Sequence, residues 1–261
     1  MSNDNKEFYD LLNSIVDEQT FPLQLSPKED GTPETVSCKA LSTAQLKELI
    51  KTVVDSPLTQ ASFNSTATRI FKQSILNSSE LSLNTIDRLL FIIGTRIQSL
   101  APTTTISVDG EDIAVDFQQV KVKLDEKLKE SFNLLQVSSA TEGKLSITFG
   151  PALLAAEGQL NEEIYKNINP NVEDPEELRK VLGEAFINEI AKAVRTLTID
   201  EKTLDLSTVT FKSRLKTIES LPASLIQKVI EYIEEYKKVV DDCLTVDGHT
   251  IVIDGSLFSL R

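Results

Sequence analysis

The chain has 261 residues, 40% of them hydrophobic, and carries a formal net charge of −13 with one histidine, two cysteines and no tryptophan. A chain of this length can bury a sizeable core without disulfides or metals. The acidic surplus speaks against a basic surface for phosphate backbones or anionic membranes, and four tyrosines with no tryptophan leave little for base stacking, so neither nucleic acid nor membrane is expected as a partner. No apolar run reaches the ~18–20 residues that span a bilayer, and the polar start MSNDNKE does not read as a signal peptide, which predicts a soluble intracellular protein.

Residues 5 to 16 place Phe8, Leu11, Leu12 and Ile15 at helical spacing, a short amphipathic element that either packs on its own domain or reaches a neighbour as an arm. The short period-2 runs FPLQL and TVSCKAL flank the turn-rich SPKEDGTPE and predict a hairpin over 20–41. Ser42 with Gln45 reads as a capping box for a helix bearing Leu46, Leu49, Ile50, Val53 and Val54, ended by Pro57. A second helix over about 58–76 presents Phe63, Ala67, Ile70, Phe71 and Ile75. The most apolar stretch follows, TIDRLLFIIGTRIQSL at 85–100. Ile86, Leu89, Leu90, Ile93, Ile97 and Leu100 form one helix face and Phe91 and Ile92 widen it, so this helix should be covered on more than one side. Asn84 can cap it, Asp87 suits the positive end of its dipole, and Gly94 marks a close backbone approach. Arg88 and Arg96 are expected to pair with acids such as Asp87 or with the following strands, the alternative being a partner.

From Pro102 the period changes to two. ISVDGEDIAVDF has Asp109-Gly110 between alternating runs, VKVKL extends the alternation, and KLSITFGP is a further strand, together a small antiparallel sheet between roughly 103 and 150. Residues 152–168 are weakly helical. Asp174-Pro175-Glu176-Glu177 then opens a helix whose buried face runs through Leu178, Val181, Leu182, Phe186, Ile190, Ala193, Val194 and Leu197. A short helix through Phe211, Leu215 and Ile218 precedes the longest regular stretch, which starts after Pro222. There Leu225, Val229, Tyr232, Tyr236, Val239 and Cys243 alternate spacings of four and three, a heptad seam. A surface this apolar needs a large domain or another chain over it, and Leu225, Val229, Tyr232, Tyr236 and Val239 are the expected partner-contacting residues. The closing LTVDGHTIVID repeats the hairpin pattern around Asp247-Gly248.

Chemistry is harder to find. His249 sits at a hairpin turn with no nucleophile placed beside it, and Cys38 and Cys243 read as buried free thiols, so neither a catalytic pair nor a zinc constellation is expected. The acidic pairs Glu162-Glu163, Glu176-Glu177, Glu234-Glu235 and Asp241-Asp242 read as solvated helix faces. No glycine-rich loop cradles phosphate. The expectation is a non-enzymatic protein with no cofactor and no metal.

Three stretches carry a resemblance: VSCKALSTAQLKELIKTVVDSP, TIDRLLFIIGTRIQSL with its Asp87-Arg88 and Arg96, and TFKSRLKTIESLPASLIQKVIEYIEEYKK with its Leu221-Pro222. In this order they resemble the baseplate hub subunits and hub assembly proteins of T-even-like contractile-tailed bacteriophages, the myoviruses. The likeness covers roughly residues 35–245 and is weakest over 103–170. It implies a structural protein of the tail baseplate hub, working through contacts with other baseplate proteins, with multiple copies in a symmetric assembly as a further expectation. The virion, or the host cytoplasm during assembly, is the implied location. An assembly chaperone absent from the mature virion is the alternative, and a hydrolase using paired carboxylates the third reading. No site residue is carried over from the family. The expected fold is α+β and helix-rich: an N-terminal arm, hairpin and three-helix unit over 1–102, a small sheet over 103–170, and C-terminal helices closed by a hairpin over 171–261. The three regions read equally as one continuous domain, with 167–174 as the candidate joint.

Overall fold

The computed structural model describes residues 19–27, 31–32, 34–54, 59–76, 81–108, 110–158, 160 and 175–258, with the backbone alone at 54, 59 and 175–182. The fold is α+β and helix-rich, with small antiparallel sheets. The amphipathic element expected over 5–16 lies outside the described residues.

Strands β1 (Thr20–Gln24) and β2 (Thr35–Lys39) pair antiparallel, with Phe21 opposite Cys38 and Leu23 opposite Val36. Ser42 and Gln45 exchange backbone-to-side-chain hydrogen bonds at the mouth of α1 (Thr43–Val54), the reciprocal capping box that the S-x-x-Q spacing predicts. Helix α2 (Thr59–Ser74) buries Phe63, Ala67, Ile70 and Phe71 on one face. Helix α3 (Thr85–Ser99) is buried at every position from Ile86 to Arg96. Its Phe91 ring stacks on Phe71 with centroids 4.6 Å apart. A Cβ on Gly94 would stand 3.3 Å from the Phe21 ring and 3.4 Å from a Leu23 methyl, so the glycine leaves room for two side chains of β1, where a close backbone approach was expected.

Beyond Pro102, β3 (Thr103–Val108) and β4 (Glu111–Asp116) form the expected hairpin. The strand expected at VKVKL is a helix instead. Phe117, Val120, Leu124 and Leu128 are the buried face of α4 (Phe117–Glu130), and the Asp116 side chain caps it by accepting from the Gln118 N–H. Alternation over five residues also satisfies part of a 3.6 period, and the longer apolar set decides in favour of the helix. Lysines 121, 123 and 127 then bind Asp125, the Thr245 carbonyl and Glu130 along its flank.

A four-stranded antiparallel sheet follows, in the order β5 (Ser138–Glu142), β6 (Leu145–Phe149), β7 (Val194–Ile199), β8 (Lys202–Asp205). It takes two strands from each side of the joint expected at 167–174. Between β6 and β7 the chain is helical at 154–158 and again in α5 (Pro175–Ala193). The helical face read through Val194 and Leu197 stops short, because the backbone turns extended directly after Ala193. Two groups receive the carbonyls exposed there: the Gly150 N–H binds the Ala193 carbonyl at 3.0 Å and Arg214 Nη2 the Val194 carbonyl at 3.0 Å. Ile190 and Ala193 are buried as expected, whereas Phe186 is 49% exposed.

Helix α6 (Phe211–Glu219), capped by Thr210, leads into the 21-residue α7 (Ala223–Cys243). Asp247 and Gly248, with φ of 50° and 84°, make the tight turn between β9 (Thr245–Val246) and β10 (His249–Thr250), the type I′ geometry that Asp-Gly favours. The described chain closes with a 3₁₀ turn (Gly255–Phe258) whose Phe258 ring lies 6.5 Å from that of Phe63.

Two apolar cores result. One gathers β1, β2, α2, α3, β4, α4 and the C-terminal turn, and the other sits between the sheet and helices α5 to α7. Helix α7 serves both. Leu225, Val229 and Tyr232 belong to the sheet core, Cys243 to the first core, and Tyr236 packs against each.

Candidate functional site: the cleft between the two cores

A cleft of about 410 Å³ lies where α7 passes α3, lined among others by Arg88, Leu89, Ile92, Tyr236, Val240 and Glu157. The charged group at its base is the product of the central helix. Position 88 falls on the side of α3 that faces the 154–158 turn, and both terminal nitrogens of Arg88 bind the Glu157 carboxylate, the second at 3.1 Å. Arg88 Nη1 also donates to Thr68 Oγ1 at 3.1 Å. Both side chains of the pair are under 10% exposed. A two-toothed guanidinium–carboxylate pair of this kind offsets much of the cost of removing two charges from water.

One turn away, the Tyr236 hydroxyl meets Thr85 Oγ1 at 2.9 Å, and the Tyr232 hydroxyl donates to the Leu134 carbonyl at 2.9 Å. The two tyrosine rings stack with centroids 6.1 Å apart. Burial pushes both phenols well above their ordinary range, so each stays a neutral phenol. Lys192 at the rim is engaged by Glu189 at 2.7 Å.

The preceding residue on α3 closes a second polar knot. Asp87 accepts from the Ser26 N–H and Ser26 Oγ at 2.8 Å each and from the Asn84 N–H at 2.9 Å. Asn84 in turn caps the helix and donates to Ser26 Oγ at 2.9 Å. Burial raises the pKa of Asp87 while these three donors pull the other way. At the far end of α3, Arg96 donates to the Ala101 carbonyl and lies 5.6 Å over the Phe117 ring. Arg88 pairs with an acid as expected, though with Glu157 and not Asp87, and Arg96 pairs with none among the described residues. Arg88 meets Glu157 and Arg96 the Phe117 ring, both brought in by the tertiary fold, while the Ala101 carbonyl that Arg96 also binds is local.

The chemistry available to this cleft is narrow. Arg88 is closed on Glu157 and Lys192 on Glu189, Lys237 stands exposed at the rim, and the two tyrosines are neutral and hydrogen-bonded. The thiols of Cys38 and Cys243 are free and buried in the first core, pushed up to about 12 and about 11. His249 lies 3.5 Å from Glu111 on the surface, away from this cleft. No cluster of three metal-ligating side chains occurs among the described residues. The cleft joins two cores, and its polar groups position helices.

The five seam residues of α7 divide. Leu225, Val229 and Tyr232 are inside the chain's own sheet core, at 2%, 0% and 7% exposure. Tyr236 is half-buried over the cleft. Val239 is partly exposed and belongs to neither core. The heptad spacing is real, and the large-domain reading of it accounts for the first three positions. Glu157, which completes the strongest polar contact, carried no signal in the sequence. Its weakly helical segment offered only one acid among several. No family model, curated protein or solved structure matches the chain.

Proposed function

We propose that this chain is a non-enzymatic structural protein of a contractile phage tail, placed in the baseplate hub and acting through contacts with other baseplate proteins. The reading rests on the resemblance carried in one order by residues 36–57, 85–100 and 210–238. What supports it is where those stretches lie: the β2–α1 entry, the central helix α3, and the α6–α7 pair that spans both cores. They form the frame of the molecule, and Arg88, Asp87 and Tyr232 within it bind segments outside their own helices. Val239 and the exposed acidic flank of α7 are the part of the seam left for a hub neighbour.

The protein content of purified particles tests this directly. A structural role requires the chain in finished tails at a fixed ratio to the other baseplate proteins. Abundance in infected-cell extract with absence from purified particles identifies an assembly chaperone instead. Turnover of a substrate by the pure chain, lost when an acidic pair is neutralised, removes both readings.

A further inference from the structure

The four-stranded sheet has two edges, and they differ. At the β8 edge, Lys202 and Asp205 supply charge, and the carbonyl of Asp205 is occupied by the N–H and Oγ1 of Thr208 at 3.2 and 2.7 Å. Charge and a blocked carbonyl are ordinary defences against unwanted strand pairing. The β5 edge has neither. Its sequence, Ser-Ser-Ala-Thr-Glu, lacks lysine and proline, and its single charge is at the end, where Glu142 binds Ser224 on α7.

The register shows which groups this edge offers. Glu142 and Leu145 flank the two-residue Gly143-Lys144 turn, so they form a hydrogen-bonded pair, as do Ala140 with Ile147 and Ser138 with Phe149. The backbone N–H and C=O groups of Ser139 and Thr141 therefore point away from β6. Among the described residues nothing pairs with them, and both side chains are exposed. Ser139 and Thr141 also begin a face of hydroxyls. The rows Ser139–Thr148–Thr196 and Thr141–Ser146–Thr198–Thr203 cross the sheet, with Thr148 to Thr196 at 2.6 Å and Thr198 to Thr203 at 2.9 Å.

We propose that β5 is the interface to a second copy of this chain, through antiparallel β5–β5 pairing about a two-fold axis at Ala140. The strand is its own complement in that register. Ser139 lies opposite Thr141 of the second copy, which aligns all four outward N–H and C=O groups of each strand into four hydrogen bonds. The hydroxyl rows continue across the seam. Ala140 faces itself in the close, non-hydrogen-bonded pair, where a small side chain fits. Glu142 lies opposite Ser138, so no like charges meet, which matters for a chain of net charge −13. Within the strand Ser138–Glu142, a slip of two residues in either direction leaves one of Ser139 and Thr141 opposite a residue outside the strand. One strand pair is a small interface, so a concentration-dependent equilibrium is expected rather than an obligate dimer. The contact does not depend on the tail role proposed above.

Sedimentation of the full chain over a concentration series should show a monomer–dimer equilibrium. Ala140→Cys should cross-link into a disulfide dimer under mild oxidation, because the paired Cα atoms would stand ~4.5 Å apart, within disulfide reach. Thr141→Cys is the control: it lies off the axis, opposite Ser139 of the second copy, and should cross-link far less. Thr141→Pro removes one outward N–H while leaving the β6 ladder whole and should weaken association at least ~10-fold, the loss of roughly 1.4 kcal/mol. Should that variant fail to fold, Ser139→Lys with Thr141→Lys places like charges opposite one another on the solvent face and should abolish the dimer. A chain that stays monomeric at its highest soluble concentration overturns the proposal. So does a dimer that survives the paired lysines, or an Ala140→Cys variant that does not cross-link.

Discussion

Around α3 the chain encloses a helix on all sides from Ile86 to Arg96, whereas the four-stranded sheet is covered on one face and, among the described residues, bare on the other. The first arrangement takes polar side chains into the interior. Asp87 and Arg88 are met there by Ser26 and Glu157, while Arg96 binds the nearby Ala101 carbonyl with its Nε unpaired and the Thr95 hydroxyl has no partner among the described residues. The second keeps Ile147, Leu197, Val229 and Tyr232 inside and sends serine and threonine outward, as the two-residue period of a strand allows. A fully buried helix needs its polar contacts completed by distant segments. A half-buried sheet resolves the same problem locally, by alternation.

The largest test of that contrast is Leu90→Asp in the enclosed helix. Leu90 is 2% exposed, and an unpaired buried carboxylate there exceeds what a domain with ~5–15 kcal/mol of stability tolerates. Loss of the cooperative thermal transition is the expected outcome, and since α7 belongs to both cores, the sheet should melt with it. A surviving sheet transition would mean that the cores are independent.

Breaking the polar contacts comes next. Glu157→Ala leaves Arg88 charged and buried, and should cost about 3–5 kcal/mol in denaturant unfolding. Combining Arg88→Met with Glu157→Leu should recover most of it, as removing both charges leaves nothing to desolvate. If the single variant costs nothing, the pair does not join the cores.

Gly255→Ala probes the C-terminal turn on the first core. A Cβ there would overlap the Leu49 carbonyl oxygen and press on Val53, so about 1–3 kcal/mol is expected from overpacking.

Asp87 adds a pH signature. Burial raises its pKa in the fold above the value of 3.8 for a free side chain, so between those two values the native state binds more protons than the unfolded chain. Its contribution to stability therefore falls as pH rises through the raised folded pKa and is recovered on acidification toward 3.8. The curve for the chain minus that for Asp87→Asn isolates it from Asp205 and Glu231, whose lowered pKa values act in the opposite sense. A flat difference would show that the three donors cancel the burial. The smallest effect belongs to Val122→Ser on the outer face of α4: at 57% exposure, a change within about ±0.5 kcal/mol is expected.

Much of the first core was legible residue by residue. The Ser42–Gln45 box, the Asn84 cap and the face of α2 are local rules read directly from spacing, and each is found in place, whereas Gly94 makes room for side chains of β1 and not for its backbone. The sheet was less so. β5 and β8 are short and polar, without apolar alternation to mark them, and the helix-to-strand change at Ala193–Val194 has no glycine or proline to announce it. Its stabilising partners, Gly150 and Arg214, are remote in sequence. VKVKL satisfied two periods at once, and only the longer set of Phe117, Val120, Leu124 and Leu128 separates them. At the cleft, Arg88 and the α7 tyrosines stood out in the sequence, whereas Glu157 did not.

By itself the sequence determined what local physics controls: where helices start, which faces are apolar, where Asp-Gly turns the chain, and that α3 must lie inside. Tertiary structure alone decided whom each polar group meets and which apolar stripe is shared. Leu225, Val229 and Tyr232 have the same heptad spacing whether they pack on a sheet or on another subunit. Periodicity records which side of a helix avoids water, and carries no information about what covers it.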